Sequence, residues 1–487
     1  MSYLLAIAIG PVQDFIAAAR RTADLYAGSE LLMEVTKKIA LDLQSKNAKL
    51  IFPSEPEQGG ANKILAEVSS DPTELVKALK ALSRDFLQKE WSKAYSSFSD
   101  KNAVHEARAT AQIENFLEIY AAWVELDDYK NSRLQVERLL AGRKALRDFT
   151  QTLGNNAGIP KSPLDASRAS VLSNPALLAD ATASYKPLRL KATEHLDAIS
   201  LLKRIYGVST TKTVIDTRTM ARRAKNPAVV PSERQEDDDT TTEAQPYYAI
   251  LHADGDKMGD LIGKLGTPKA HQEFSSTLAG FASGVEAIVK RHYGFKIYSG
   301  GDDVLAFLPV NTAIACAREL ATDFANKLPE ASLSVGIAIV HYREPLSMGL
   351  DYARDAEKAA KNKSDTDPDN HGNRLAVALH TRGGAPMTVV EPWNKPALEK
   401  LLGHYQTQTV SRGLAYELKQ LAREWDKTAL PMIALQAEAK RIAARKEGET
   451  LEIPPLESVK DLEAFAKKLV LVRFLSGLGG EDAKQDI

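Results

Sequence analysis

Two acidic motifs in the chain contain residue types that could act together in one chemical site. Residues 254–256 (Asp-Gly-Asp) end an apolar run over 247–253, and residues 300–303 (Gly-Gly-Asp-Asp) separate the apolar runs 295–299 and 304–309. A strand, two glycines and a second strand are typical of a tight β-hairpin, because glycine tolerates positive φ. Neighbouring carboxylates repel one another unless a cation binds, and such hard oxygen ligands suit magnesium that carries a nucleotide's phosphates. The motifs therefore predict a magnesium and nucleotide site, provided that the fold brings them together.

The elements around these motifs follow the order of a ferredoxin-like split βαβ unit. Strands are predicted over 247–253, 295–299, 304–308, 332–341, 374–380 and 387–390, and helices over 271–293, 312–328 and 346–361. In such a unit the first strand lies beside the hairpin. Asp254 would then neighbour Asp302 and Asp303, which is the geometry with which palm-type polymerases hold two metal ions.

The carboxylates of this predicted site are expected to differ in role. On an ideal strand Asp302 and Asp303 would point to opposite faces, so Asp254 and one of the pair are the expected main ligands. Asp256 is either a second ligand or a residue that faces solvent. The carboxylate motifs also have a plainer explanation, because each is common in surface turns.

Glycines and lysines near the motifs could contact phosphates. Gly255 and Gly259 would let phosphates approach the backbone closely. Lys358 and Lys361, on the helix after the fourth strand of the unit, could bind them as point charges. A solvated helix face is the plainer explanation for both lysines, and more so for Lys358.

The rest of the chain divides by its pattern into further parts. Residues 1–70 read as strand, helix, strand and strand, which repeats the beginning of the second unit without its acidic residues. Residues 72–206 read as helical, including one helix over 107–124, and residues 226–246 read as a mobile linker or an exposed loop. The predicted domains are a first α/β unit (1–110), a helical region with the linker (111–245), a second α/β unit (246–390) and a helical C-terminal region (391–487).

The composition is that of an ordinary globular protein, with 44% hydrophobic and 26% charged residues. A net charge of −1 neither predicts nor excludes binding to nucleic acid. Cys316 is the single cysteine, so neither an internal disulfide nor a four-cysteine zinc site can form. No stretch reaches the ~18 apolar residues of a membrane span, and the N-terminus lacks the basic segment of a signal peptide. We therefore expect a cytoplasmic protein that holds no zinc and binds no membrane.

Several segments resemble one family, the large polymerase/cyclase subunit of type III CRISPR effector complexes in its type III-B form. The segments are residues 9–22 (Ile-Gly-Pro-Val-Gln-Asp-Phe-Ile-Ala-Ala-Ala-Arg-Arg-Thr) with 27–29, 62–66 (Asn-Lys-Ile-Leu-Ala), 160–165 (Pro-Lys-Ser-Pro-Leu-Asp), 253–259, 299–303 and 358–374. The resemblance implies an α+β fold with two ferredoxin-like palm (βαββαβ) domains, a helical insertion between them and a helical C-terminal domain. The first palm would be non-catalytic and would help to form the nucleotide pocket.

The resemblance also implies a function. Target RNA bound to a guide complex would activate the chain to condense ATP into cyclic oligoadenylate by two-metal catalysis, with magnesium or manganese. Other subunits of the complex, guide RNA, target RNA and ATP would be its partners. By position, Asp254, Asp302 and Asp303 would bind metal, and Asp302 and Asp303 would be catalytic. The nucleotide-binding residues would be Gly255, Asp256, Ser299, Gly300, Gly301 and Lys361.

Two departures from the family pattern lead to further expectations. Many members begin with an HD nuclease domain, but residues 1–100 contain no histidine, so we expect no DNA cleavage by this chain. Asp197 and Ser200 stand where relatives often carry Cys-x-x-Cys, so packing must replace a structural zinc.

Two alternative functions stay open. The chain could be a stand-alone cyclase that makes a cyclic nucleotide without a guide complex, or a catalytically inactive scaffold that holds RNA and neighbouring subunits.

Overall fold

A computed structural model describes most of the chain. The described residues are 1–58, 62–98, 100–146, 158–174, 182–183, 186–188, 190–191, 193–210, 212–231, 246–362, 372–407, 410–411, 413–427, 430–445 and 451–477. Most of the predicted linker over 226–246 and much of the 358–374 segment lie outside the described residues.

The first part of the chain forms an antiparallel sheet of four strands in the order β2-β3-β1-β4. The strands are β1 (Tyr3–Gly10), β2 (Lys49–Phe52), β3 (Lys63–Val68) and β4 (Glu118–Glu125), and the helices are α1 (Gln13–Ala17), α2 (Thr22–Ser45), α3 (Pro72–Ser96), α4 (Glu106–Glu114) and α5 (Tyr129–Ala145). Six of the eight residues of the central strand β1 are buried, as its continuous apolar sequence predicts. The sequence of elements is βαββαβ, and the strand order is that of a ferredoxin-like fold.

Strand β4 corrects the sequence analysis in two respects. The prediction of one helix over 107–124 is wrong, because α4 ends at Glu114 and residues 118–125 pair antiparallel with β1. The segment contains isoleucine, tyrosine, tryptophan and valine, which suit a strand when a partner strand is available. The first sheet therefore continues past residue 110, where the sequence analysis ends the first domain.

A helical region joins the two sheets and is tied to the first by buried charges. It contains α6 (Ala198–Ser209) and α7 (Thr217–Arg223), with a short pairing of β5 (Thr182–Ala183) and β6 (Lys186–Pro187). Arg204 of α6 forms a buried ion pair with Asp24 of α2, with an Nε–Oδ1 distance of 2.8 Å. The neighbouring Lys203 donates to the carbonyl of Phe15 at 2.6 Å. These contacts fix α6 against the first sheet's helices.

Asp197, one of the two residues that depart from the family's Cys-x-x-Cys pattern in the resemblance above, is a fully buried hydrogen-bond acceptor. Its Oδ1 accepts from the backbone N–H groups of Ile199 and Ser200, each at 3.0 Å, and so caps α6. Its Oδ2 accepts from the hydroxyls of Ser162 at 2.7 Å and Ser200 at 2.6 Å. Hydrogen bonds, and not packing alone, therefore join these segments.

The second sheet has six strands in the order β12-β11-β10-β7-β9-β8. The strands are β7 (Tyr247–Asp256), β8 (Phe295–Ser299), β9 (Val304–Leu308), β10 (Ser332–His341), β11 (Arg374–Leu379) and β12 (Met387–Pro392), and the helices are α8 (Met258–Lys264), α9 (Pro268–Arg291), α10 (Ala313–Lys327) and α11 (Leu346–Lys361). Strand β7 lies between β10 and β9, antiparallel to both, as the split βαβ prediction requires. The predicted α+β class and the internal repeat are therefore both present.

The two sheet units pack against each other, and C-terminal helices cover the second. Gln272 of α9 donates to the carbonyl of Leu50 at 2.6 Å, and the rings of Tyr26 and Phe295 meet edge to face at 5.5 Å. The C-terminal helices are α12 (Ala397–Gln406), α13 (Leu414–Trp425), α14 (Met432–Ala444) and α15 (Val459–Gly477). None of the described helices combines the length and apolar character that a membrane span requires.

Candidate active site

The hairpin between β8 and β9 brings the two acidic motifs together. Ala253 is the register partner of Val304, so Asp254 and Asp303 follow at the same edge of neighbouring strands. The backbone N–H of Gly300 donates to the carbonyl of Asp303 at 2.9 Å and closes the turn. Of the two glycines only Gly301 has a positive φ, at 87°, which a side chain would strain.

Gly255 allows a close approach between the motifs. A Cβ atom at this position would lie 2.9 Å from both Cβ and Oδ2 of Asp302, and 2.7 Å from Cγ of Met258. Any other residue at 255 would therefore push Asp302 or Met258 aside. The Asp-Gly-Asp motif needs its glycine so that the hairpin carboxylate can lie against β7.

The carboxylates of the hairpin lie in an environment that disfavours their negative charge. Burial, reinforced by the charge of Asp254, raises the pKa of Asp302 to about 6 and that of Asp303 to about 8. His252 Nε2 lies 3.5 Å from Asp303 Oδ1, but burial lowers the pKa of His252 to about 4, so this histidine is neutral near pH 7. Asp303 Oδ1 is buried and has no hydrogen-bond partner among the described residues. The site therefore has oxygen acceptors without enough positive charge to balance them.

Lys361 contributes the cation that contacts the site. This last residue of α11 donates from Nζ to Asp254 Oδ2, and its Nζ also lies 3.3 Å from the carbonyl of Gly255 and 3.2 Å from Glu357 Oε1. Lys358, one turn earlier, pairs instead with Asp355 at an exposed position. Of the two lysines, the structure brings only Lys361 into contact with the acidic motif.

Asp256 lies in the sheet and not in the cleft. Its carboxylate is buried and accepts hydrogen bonds from the hydroxyls of Ser332 (2.6 Å) and Ser334 (2.7 Å) and from the backbone N–H of Asn373 (2.7 Å). Neither serine was predicted to contact the motif, although two serines on the same face of an apolar strand are a signal for a buried polar partner. In this geometry Asp256 positions the end of β7.

Ser299 anchors the hairpin to α9, because its hydroxyl donates to the carbonyl of Ala282 at 2.9 Å. Gly300 and Gly301 form the turn itself. Tyr298, which the sequence analysis missed, lines a small gap between the two units together with Ile9 and other residues of the first unit.

The residues present fit a metal ion by their chemistry, although they do not form a finished ligand set. No group of three acidic, histidine or cysteine side chains in the described parts of the chain has the spacing that holds a metal. Asp254, Asp302 and Asp303 nevertheless supply hard oxygen donors at one edge of the sheet, and Asp303 Oδ1 has no partner there. The Lys361 ammonium occupies one oxygen of Asp254.

Together these features define a protein with two palm-type units, the second of which carries an acidic hairpin at its sheet edge. Family models match two segments that cover more than half of the chain: "Cas10/Cmr2, second palm domain" over residues 247–368 and "CRISPR-associated protein Cmr2, N-terminal" over residues 4–137. The chain belongs to the Cas10/Cmr2 family, in its type III-B form. We call the first unit the first palm and the second unit the second palm.

Two curated relatives share part of the sequence. The chain is 30% identical over 246 residues to the CRISPR system Cmr subunit Cmr2 of Pyrococcus furiosus, a match that covers 42% of this chain and 27% of that relative. It is 31% identical over 105 residues to the Cmr2 subunit of Saccharolobus solfataricus, which covers 16% of this chain and 10% of that relative. The matches thus span about a quarter and a tenth of the relatives' length.

Solved structures share the fold over most of the chain. A chain of the type III-B Cmr-beta complex in its apo state superposes with a TM-score of 0.69 at 12% identity, and the match covers 98% of this chain and 82% of that chain. Chains of a Csm1–Csm4 cassette bound to cA4 and to one ATP superpose with TM-scores of 0.57 and 0.58 at 13% and 14% identity; each match covers 98% of this chain and 70% of that chain. These likenesses confirm the α+β architecture.

Proposed function

We propose that this chain is the nucleotidyltransferase subunit of a type III-B RNA-guided complex, and that it condenses ATP into cyclic oligoadenylate when target RNA binds. The observation that carries the proposal is the convergence of Asp254, Asp302 and Asp303 at one edge of the second palm's sheet. The Csm1–Csm4 cassettes, described in complex with ATP, pppApA and cA4, share this fold and support the choice of substrate and product.

In the proposed reaction a ribose hydroxyl of one ATP attacks the α-phosphate of another, and pyrophosphate leaves. Asp254, Asp302 and Asp303 would hold magnesium or manganese, with Asp302 and Asp303 as the catalytic pair. Bound there, such ions lower the pKa of the attacking hydroxyl and neutralise the phosphates.

The chain's other residues would bind and orient. Lys361 would bind a phosphate as a point charge. Gly300 and Gly301 would leave the backbone of the turn open to close approach, whereas Gly255 would act by making room for Asp302. Ser299 would hold the hairpin at its position through α9. We propose that Asp256 acts on the nucleotide only through the end of β7, since its oxygens already accept three hydrogen bonds.

The test is a synthesis assay with labelled ATP and magnesium, with mass analysis of the product. The chain is assayed alone, in the assembled guide complex, and in that complex with matching target RNA. We expect product only in the last case, and none from Asp302→Ala with Asp303→Ala in a complex that still assembles. Normal synthesis by the double variant would refute the assignment of these aspartates to the active site. Target-independent synthesis by the isolated chain would favour a stand-alone cyclase.

A second candidate, an inactive scaffold that holds RNA and subunits, is favoured by one observation. The contact of Lys361 with Asp254 already neutralises part of the acidic cluster. Failure of the assembled complex to bind ATP with magnesium would support this candidate. We also propose that the chain does not cut DNA. Incubating the complex with single-stranded DNA tests this.

A further inference from the structure

Lys361 lies where a divalent cation would have to reach Asp254. Its Nζ donates to Asp254 Oδ2 and lies within 3.3 Å of the Gly255 carbonyl, so it contacts the end of β7 from the side of α11. Glu357, one turn back on the same helix, holds the ammonium from the other side at 3.2 Å. The lysine therefore bridges its own helix and the acidic motif.

This single positive charge does not balance the cluster. Two carboxylates, those of Asp254 and Glu357, contact it, and those of Asp302 and Asp303 lie on the hairpin beside the end of β7. The imidazole of His252 also approaches the hairpin acids, with Nε2 at 3.5 Å from Asp303 Oδ1. A divalent ion would bring more charge than Lys361 does, but it would need the Asp254 oxygen that the lysine holds.

We propose that Lys361 is an internal counterion that competes with the divalent metal for Asp254, and that the nucleotide's phosphates relieve this competition by drawing the ammonium away. The inference rests on the proposed function. It makes metal and nucleotide binding cooperative: without phosphates the metal must displace the lysine from Asp254, and with phosphates the displaced ammonium has a new partner.

The geometry allows this exchange. Lys361 is the last residue of α11, and the following residue, Asn362, already has an extended backbone. About 30% of the lysine side chain is exposed, and its stem is flexible, so the ammonium can turn while Glu357 still contacts it. The helix itself does not need to move.

The first experiment measures Mn²⁺ binding to the full chain without nucleotide, from the loss of the free Mn²⁺ signal in electron paramagnetic resonance. We compare the wild type with Lys361→Met and with Lys358→Met, an exposed lysine of the same helix. Removing a competing unit charge at contact distance should tighten Mn²⁺ binding by about tenfold in Lys361→Met. Lys358→Met should bind as the wild type does, and Lys361→Gln provides a second variant if the methionine impairs folding.

A second experiment needs no variant. Acetylation of lysines in the wild-type chain is followed by mass spectrometry as magnesium is added and then AMPPNP. Magnesium alone should expose Lys361 and raise its labelling, and AMPPNP with magnesium should lower it again, while labelling of Lys358 stays constant.

The outcomes separate this inference from the proposed function. Equal or weaker Mn²⁺ binding by Lys361→Met, or Lys361 labelling that magnesium does not change, overturns the counterion competition and leaves the metal site standing. If neither the wild type nor any lysine variant binds Mn²⁺, both the counterion competition and the proposed metal site are overturned.

Discussion

Ser334 Oγ donates a 2.7 Å hydrogen bond to Asp256 Oδ1 in the interior of the second palm's sheet. The other carboxylate oxygen accepts from Ser332 and from the backbone of Asn373, just before β11. Asp256 therefore joins β7 to β10 and to the start of β11. Asp254, two residues earlier in the same motif, is left to face the cleft.

Replacing Asp256 should therefore reduce stability. Asp256→Ala leaves the buried hydroxyl of Ser334 and two partly buried hydrogen bonds, from Ser332 and the Asn373 backbone, without their acceptor. This should lower the free energy of unfolding by about 1–3 kcal/mol. Urea unfolding of the full chain measures this. Asp260→Ala, at an exposed position on α8, is the matched control and should change stability little. Equal stability of the two variants would show that the Asp256 network contributes nothing.

Replacing Gly255 should reduce synthesis more than stability. In Gly255→Ala the new methyl group collides with Asp302 and Met258. Because a displacement of about 1 Å in a catalytic group can cost about a hundredfold in rate, we expect product formation to fall by at least tenfold. Gly263→Ala on α8 is the control, since a Cβ there meets nothing within 4 Å. Target-activated synthesis at the wild-type rate by Gly255→Ala would contradict the close approach of the motifs.

The interface between the two palms should weaken in mild acid because of His271. This buried histidine shares a 2.7 Å hydrogen bond with Tyr129, and burial, together with Arg133, lowers its pKa to about 4 against the opposing effect of Glu137. In the unfolded chain its pKa is near 6.5. Above that pH the histidine is neutral in both states; as the pH falls from about 6.5 to 4, only the unfolded state gains the proton, so stability is lost.

The loss attributable to His271 should reach on the order of 2–3 kcal/mol near pH 4. The measurement compares unfolding free energies of the wild type and His271→Gln between pH 7.5 and 4.5. The variant removes the titrating group, so its stability should decline less steeply than that of the wild type. Parallel curves for the two proteins would exclude His271 as the source.

The Asp197 network should behave as a metal-free link between α6 and the segment that contains Ser162. Asp197→Ala removes a helix cap and the acceptor of two serine hydroxyls, so the free energy of unfolding should fall by about 2 kcal/mol. Asp197→Asn keeps an acceptor for the cap and should cost less. Ser173→Ala, at an exposed position, is the control.

Zinc should play no part in this link. We expect the thermal unfolding of the wild type to stay unchanged when a chelator is added. A lower melting temperature with the chelator would mean that a metal stabilises this region after all.

Sequence alone determined the features of this protein that arise from neighbouring residues. The apolar run of β7, the glycines of the hairpin and the order of strands and helices in the second palm are local patterns, and each was predicted with close to its observed bounds. The strand over 118–125 was not predicted, because its partner β1 lies more than a hundred residues away in the sequence. The predicted boundary at residue 110 failed for the same reason.

Only the tertiary structure decided which side chains of the motifs meet which partners. Lys361 contacts Asp254 across 107 residues, and Ser334 contacts Asp256 across 78. The motif Asp-Gly-Asp contains two chemically identical acids, and nothing local distinguishes them. The alternation of side chains along a strand would place both acids on the same face of β7. Their roles differ because the neighbouring strands supply partners to Asp256 and α11 supplies one to Asp254, and these partners are set by the packing of the whole sheet.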